Sequence, residues 1–386
     1  MSPTASTFAS PTKPASWSWE ATSESVAARY GIAVEQVVRF DQNTAPAPPD
    51  MVQRLLAAGA FEVPLSEYPP SDYGRLVAAA AERYGVGRDE LLVGAGADEI
   101  LDLAAKAFLP AGGAAIVPQP TYPMYAILTD QRRAATVRVP RRGPDAGYAV
   151  DVEAVRAAAA EPADNRAHPT VVWLCSPNNP TGRAEPDGII AELLDGLARD
   201  ADAAGRPRPT VVLDEAYTEF TGGSLAGLRA VYPRLVVLRT MSKAYSIAGL
   251  RVGFAVARPE VIEEIAIYRP PGSVSNVSVD VAAALLSDPA LAPARVATMT
   301  AERERFAGRL REAGWDPQPS TTNFLLVAFG STKAAEAVAE GLLSRGLIPR
   351  TFPEGHALAH CLRLTVRNEE QDDRLVAAAR EIGTGL

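Results

Sequence analysis

An α/β protein is predicted, with a large, mainly parallel sheet between helices and a smaller α+β unit beside it. Three observations carry this reading. Short, wholly apolar runs alternate with stretches of helical periodicity from Leu91 to Ala257, the pattern of strands covered on both faces. Several of these runs end in a polar cluster: GAGADE (94–99), SPNNPTG (176–182), DEAY (214–217) and TMSKAYSIAGLR (240–251). Ligands in such sheets bind beyond the carboxyl ends of strands, so the clusters point to one crevice. After about Ile267 the style changes to long helices and a few separated strands.

Taken in order, Trp19–Tyr30 reads as a weak helix stopped by Gly31, and a short strand at Val38–Phe40 ends in Asn43 and a Pro-rich bend. Helices follow at Met51–Ala58 and Tyr73–Tyr84. The alternating part then gives strands at Leu91–Val93, Ala114–Val117, Ala135–Val139, Thr170–Cys175, Thr210–Leu213, Leu235–Leu238 and Gly253–Ala257. Its helices are expected at Asp98–Phe108, Tyr122–Gln131 and Asp187–Ala204. Beyond Ile267 a long helix is expected from Val279 to Ala313, interrupted near Pro289 and Pro293. TTNFLLVAF, a helix at Lys333–Arg345, a strand at Leu347–Arg350, CLRLTV and a terminal helix from Glu370 complete the chain. The expected division is a tail at 1–18, a large domain at 49–266, and a small domain made of 19–48 with 267–386.

Composition narrows the function. Of 386 residues, 47% are apolar and 22% charged, the balance of a globular enzyme with a large core. The formal charge of −8 and the lack of a basic track argue against nucleic acid as a partner. No run approaches the roughly 18 apolar residues of a membrane span. The Ser/Thr/Pro-rich N-terminus has no signal-peptide core and reads as a mobile tail. Cys175 and Cys361 each adjoin an apolar run and read as small hydrophobes in a reducing compartment, the cytoplasm.

Lys243 is the residue on which the rest converges. It follows a buried strand, has Thr240 and Ser242 beside it, and Arg251 lies eight residues on. Burial and a neighbouring guanidinium disfavour the ammonium form and leave an amine able to attack a carbonyl. The hydroxyls and Arg251 suit an anionic group, most naturally a phosphate. GAGADE is either an anion site at a helix start or an ordinary turn capped by Asp98. Asp214, at a strand mouth, needs a cation such as a protonated ring nitrogen. A magnesium role would call for the P-loop glycines and lysine, which are absent. Asn178 and Asn179 form a tight turn or donate to a phenolic oxygen. His356 and His360 stand four apart, but no metal-site glutamate or third ligand accompanies them, and no metal is expected. Arg363 is either a solvent-facing strand charge or a clamp for a carboxylate or phosphate.

Together, SPNNPTG, DEAY, RTMSKAYSIAGLRVGF and CLRLTV, in this order, resemble the fold-type I pyridoxal-phosphate aminotransferases of class I/II, most closely the histidinol-phosphate aminotransferase branch. The likeness runs from about Val38 to Glu381 and implies pyridoxal 5'-phosphate as cofactor. It implies that Lys243 bonds to the cofactor aldehyde, that Asp214 pairs with the ring nitrogen, and that Tyr217 and Asn179 hold the ring hydroxyl. By the same likeness Tyr122 stacks on the ring, and Ala97, Asp98, Thr240, Ser242 and Arg251 form the phosphate cup. Tyr68 is similar to the tyrosine that reaches a neighbouring subunit's cofactor, which implies a homodimer with shared sites. Arg363 and Arg350 resemble the two substrate-anion arginines, and Asn43 falls at the substrate mouth. The implied reaction is ping-pong transfer of an amino group from histidinol phosphate, an aromatic or a related amino acid to a 2-oxo acid such as 2-oxoglutarate. Thr44 stands where the branch carries a glutamate. A decarboxylase or lyase of the threonine-phosphate decarboxylase type would share every cofactor motif. An aminotransferase-like regulator would add a DNA-binding segment, and a nicotinamide dehydrogenase would need a glycine fingerprint that is missing.

Overall fold

The computed structural model describes residues 21–59, 61, 63–163 and 167–384; the tail expected at 1–18 lies outside them. In chain order the elements begin with α1 (Ser23–Tyr30), β1 (Val38–Arg39), α2 (Asp50–Ala58), α3 (Gly74–Tyr84), β2 (Leu91–Gly94) and α4 (Ala97–Phe108). There follow β3 (Ala114–Gln119), α5 (Met124–Gln131), β4 (Ala135–Pro140), α6 (Val152–Ala160), β5 (Val171–Cys175), α7 (Ile189–Ala203) and β6 (Thr210–Asp214). Next come β7 (Leu235–Thr240), β8 (Gly253–Val256), α8 (Pro259–Ala266), α9 (Asn276–Leu286) and α10 (Leu291–Glu312). The chain closes with β9 (Asp316–Pro317), β10 (Phe324–Ala328), α11 (Thr332–Leu343), β11 (Leu347–Ile348), β12 (Cys361–Thr365) and α12 (Glu369–Ile382).

Seven strands form the large sheet in the order β2-β8-β7-β6-β5-β3-β4, with only β8 running against its neighbours. Every residue of β5, β6 and β7 is buried, because successive side chains feed two different cores. Leu174, Leu213 and Val237 pack on one face; Trp173, Val212 and Val236 pack on the other. That two-sided burial is why these strands read as unbroken apolar runs. The register sets Cys175 beside Asp214 and Asp214 beside Leu238, so the carboxyl ends of the three central strands lie level.

The smaller unit holds an antiparallel sheet, β12-β10-β9, and a parallel pair, β1 with β11. Phe306, Trp315, Leu325, Leu347, Leu364 and Leu375 share its core. The helix expected at Val279–Ala313 is two helices, α9 and α10, meeting at 83°. Pro293 does not interrupt α10 but sits in its first turn, where a missing N–H costs nothing. Likewise Tyr122 precedes α5, and α6 lies in a stretch the sequence reading leaves unassigned. Among the described residues no single helix is long and apolar enough to cross a membrane; the bent α9–α10 pair meets that test only when taken together.

Two glycines let the ends of the large sheet close on the loop before α4. A Cβ on Gly253 would lie 2.6 Å from the carbonyl carbon of Gly96, and one on Gly96 would lie 2.5 Å from Arg251 Nη2. Gly253→Ala is therefore expected to push β8 away from that loop and cost about 1–3 kcal/mol, read as a lower midpoint in urea unfolding. An unchanged midpoint would show that the approach relaxes freely.

Candidate active site

The level strand ends open on a cavity of about 360 Å³. Ala97, Asp98, Tyr122, Asn179, Asp214, Tyr217, Thr240, Ser242, Lys243, Arg251, Arg363 and Asn43 all line it, and Tyr68 and Arg350 do not. A larger cavity of about 630 Å³ lies at the other end of the strands. Its arginines are occupied: Arg206 with His168, Arg208 with Asp202, and Arg234 with Glu264.

Two hydroxyls and the start of α4 border the smaller cavity. Thr240 Oγ1 and Ser242 Oγ are 3.0 Å apart, and the start of α4 has no side-chain cap. Its amides therefore remain free to bind an anion. Asp98 does not cap the helix. It accepts from Tyr122 Oη at 3.1 Å and from Arg251 Nη2 at 3.3 Å. Glu99 closes the turn instead, accepting from Ala95 N at 2.5 Å and from Ser273 Oγ at 2.9 Å. The start of α4 is thus left without a side-chain cap.

Asp214 closes β6 and lines the same cavity. Burial pushes its carboxyl up to about 6, against hydrogen bonds from Tyr125 Oη at 2.7 Å and Ala216 N at 2.9 Å. The neighbouring Glu215 is also buried and turned away. It accepts from Ser224 Oγ at 2.5 Å and Leu225 N at 2.6 Å, and lies 3.9 Å from Arg239. These bonds pin the loop that carries Tyr217.

Lys243 also lines this cavity. Its Nζ donates to the carbonyls of Asn43 at 3.1 Å and Gln42 at 3.4 Å, and lies 5.7 Å from the centre of the Tyr217 ring. Burial first, then Arg363 and Arg251, bring its amine down to about 8. Asn43, at φ +53°, also donates to Tyr217 Oη at 2.9 Å. Its side chain thus orients Tyr217, whereas the sequence reading set it at the substrate mouth.

Arg363 is buried, not solvent-facing, and burial lowers it to about 10. Its Nη1 donates to Asn179 Oδ1 at 2.6 Å and its Nη2 to the Asp41 carbonyl, while Nε has no partner among the described residues. A buried guanidinium without a carboxylate is a ready site for a substrate anion. The backbone of Arg350 pairs with that of Arg363. Tyr68 is 92% exposed. His356 accepts from the Leu358 amide at 3.1 Å within its own turn. The sequence reading missed Tyr125; the only sign of it was the second tyrosine of PTYPMY.

These side chains suit a planar, phosphate-bearing ring with a basic nitrogen and an aldehyde. A model for aminotransferase class I and II matches residues 36–378. The chain belongs to the class I and II aminotransferases. It is a pyridoxal-phosphate-dependent enzyme. The histidinol-phosphate aminotransferase of Roseiflexus castenholzii is 35% identical, covering 93% of each chain. A second, from Archaeoglobus fulgidus, is 33% identical over 90% of this chain and 94% of that one. The solved histidinol-phosphate aminotransferase of Sinorhizobium meliloti, in complex with pyridoxal-5'-phosphate, has the same fold: TM-score 0.81 at 24% identity, covering 95% of both chains.

The aminotransferase sequence holds four lysines, Lys13, Lys106, Lys243 and Lys333. In cofactor-free protein, acylation of Lys243 mapped by mass spectrometry is expected to rise through about pH 8. A rise delayed to about pH 10.5, the range of a solvated lysine, would contradict the depressed amine.

Proposed function

We propose that this aminotransferase takes histidinol phosphate as amino donor and a 2-oxo acid such as 2-oxoglutarate as acceptor, in ping-pong fashion. The observation that carries an anionic substrate is the buried, acid-free guanidinium of Arg363; the choice of donor among such substrates follows the relatives. Curated relatives named for that donor at 33–35% identity support it. When bound, pyridoxal 5'-phosphate supplies the aldehyde that takes up the amino group and a ring that stabilises negative charge at the substrate Cα.

The residues then divide the work. Thr240, Ser242, Arg251 and the open start of α4, at Ala97 and Asp98, would hold the phosphate; Tyr122, Tyr217 and Asn179 would hold the ring and its hydroxyl. Asp214, ionised at neutral pH, would keep a proton on the ring nitrogen. Lys243 would be the covalent attachment point. Once released, its amine takes the proton from the donor Cα and, in the second half-reaction, returns one to the acceptor Cα. An amine near 8 is suited to both tasks, since either protonation state is accessible at neutral pH.

The cavity walls come from 41–44 and Arg363 on one side and from the large sheet on the other. This supports treating 49–266 as a large domain, and 19–48 with 267–386 as a small one that closes the substrate side. A homodimer is proposed on a separate ground. Tyr68 and Leu65 are exposed, Ile267 and Tyr268 also face outward, and the two segments pack together through Asn276 and Arg269. A second copy covering them would bring Tyr68 to its neighbour's cofactor. Free, buried thiols at Cys175 and Cys361 support a cytoplasmic setting.

Lys243→Ala is expected to lower turnover by at least about a thousand-fold and to abolish the absorbance band of the lysine-linked cofactor; retention of both would refute the assignment. Arg363→Gln is expected to raise KM for histidinol phosphate about 10- to 100-fold, the worth of a charged hydrogen-bond pair. An unchanged KM would place the donor's anion elsewhere. A panel of amino donors scored for keto product against carbon dioxide tests the reaction itself, and carbon dioxide release would favour the decarboxylase reading.

A further inference from the structure

Asp214 is not held by its strand alone. Tyr125 reaches it from α5 at 2.7 Å, and the Tyr125 ring lies flat on Trp173 of β5, with centroids 5.6 Å and planes 5° apart. Tyr122 meets the same ring edge-on at 5.7 Å. Trp173 Nε1 in turn donates to Thr129 Oγ1 at 3.2 Å, and that hydroxyl donates to the Tyr125 carbonyl at 2.7 Å. Tyr125, Thr129 and Trp173 are fully buried. The phenol is thus locked in place and aimed at one carboxylate oxygen.

We propose that Tyr125 is a positioning residue for transamination, holding Asp214 ionised and directed into the cavity without touching the reacting atoms. The proposal rests on reading Asp214 as the partner of the cofactor's ring nitrogen. A neutral donor is the right kind of group for this task. It stabilises the carboxylate as a charge but leaves that charge uncompensated, whereas a lysine or arginine at the same place would satisfy it and compete with the ring.

The other groups facing Asp214 are committed elsewhere. The Tyr122 hydroxyl donates to Asp98, Tyr217 Oη accepts from Asn43, Cys175 Sγ points to the Pro177 carbonyl at 3.3 Å, and Lys243 donates to backbone. Of these groups and Tyr125, only Tyr125 donates to the carboxylate. Its hydrogen bond is also the largest influence opposing the rise that burial imposes on Asp214, while Asp98 adds to that rise.

The test is a titration of cofactor-free protein with pyridoxal 5'-phosphate across about pH 5 to 8, comparing wild type with Tyr125→Phe. Affinity falls on the acid side as Asp214 takes up a proton. In the variant this limb is expected to move to higher pH by about one unit, and kcat at neutral pH to fall about tenfold with KM for the donor little changed. Trp173→Leu, which keeps the phenol but removes its stacking partner, is expected to show a smaller shift in the same direction and serves if the first variant does not fold. Superimposable acid limbs in folded variants would overturn the proposal. Failure of the wild-type protein to bind the cofactor would refute the underlying reading of Asp214 instead.

Discussion

A half-buried amine and a buried carboxylate face one small cavity without pairing with each other. Lys243 spends its hydrogen bonds on the carbonyls of Gln42 and Asn43, and Asp214 takes its own from a phenol and a backbone amide. Leaving both charges unmatched is unfavourable in the isolated chain. Under the proposed function, a ring bound in the cavity would answer both, one as a covalent partner and the other as counter-charge. Each group is moved toward neutral pH by the same physical cause, loss of hydration.

The fold supplies this arrangement through register. Level ends of β5, β6 and β7 put Cys175, Asp214 and Leu238 side by side, and the turns leaving those strands carry Asn179, Tyr217 and Lys243. The reversed strand β8 brings Gly253 against Gly96, so that the loop before α4 closes on the large sheet by direct backbone contact. The smaller unit contributes another side of the cavity, bordered by residues 42 and 43 and the guanidinium of Arg363.

Much of this was legible in the chain because a polar cluster that follows an unbroken apolar run marks a strand mouth. Lys243, Asp214 and the asparagines could be placed in that way. Asp98 could not, because its partners Tyr122 and Arg251 are distant in sequence and only the folded chain shows that it pairs across the cavity instead of capping α4. Tyr125 was hidden for a similar reason: its value depends on α5 packing over Trp173, a contact that no local pattern announces. Pro293 was misread because proline marks a helix start as readily as a break. Arg363 was left open by alternation alone, since a strand charge faces solvent or an interior according to what covers the sheet.

The central claim is that the amine of residue 243 is where the cofactor is bound. Borohydride reduction of the holoenzyme followed by peptide mass mapping tests it most directly. The account predicts a phosphopyridoxyl group on the peptide containing Lys243 and on no other. The same group found instead on Lys106 or Lys333, or on no lysine, would contradict it.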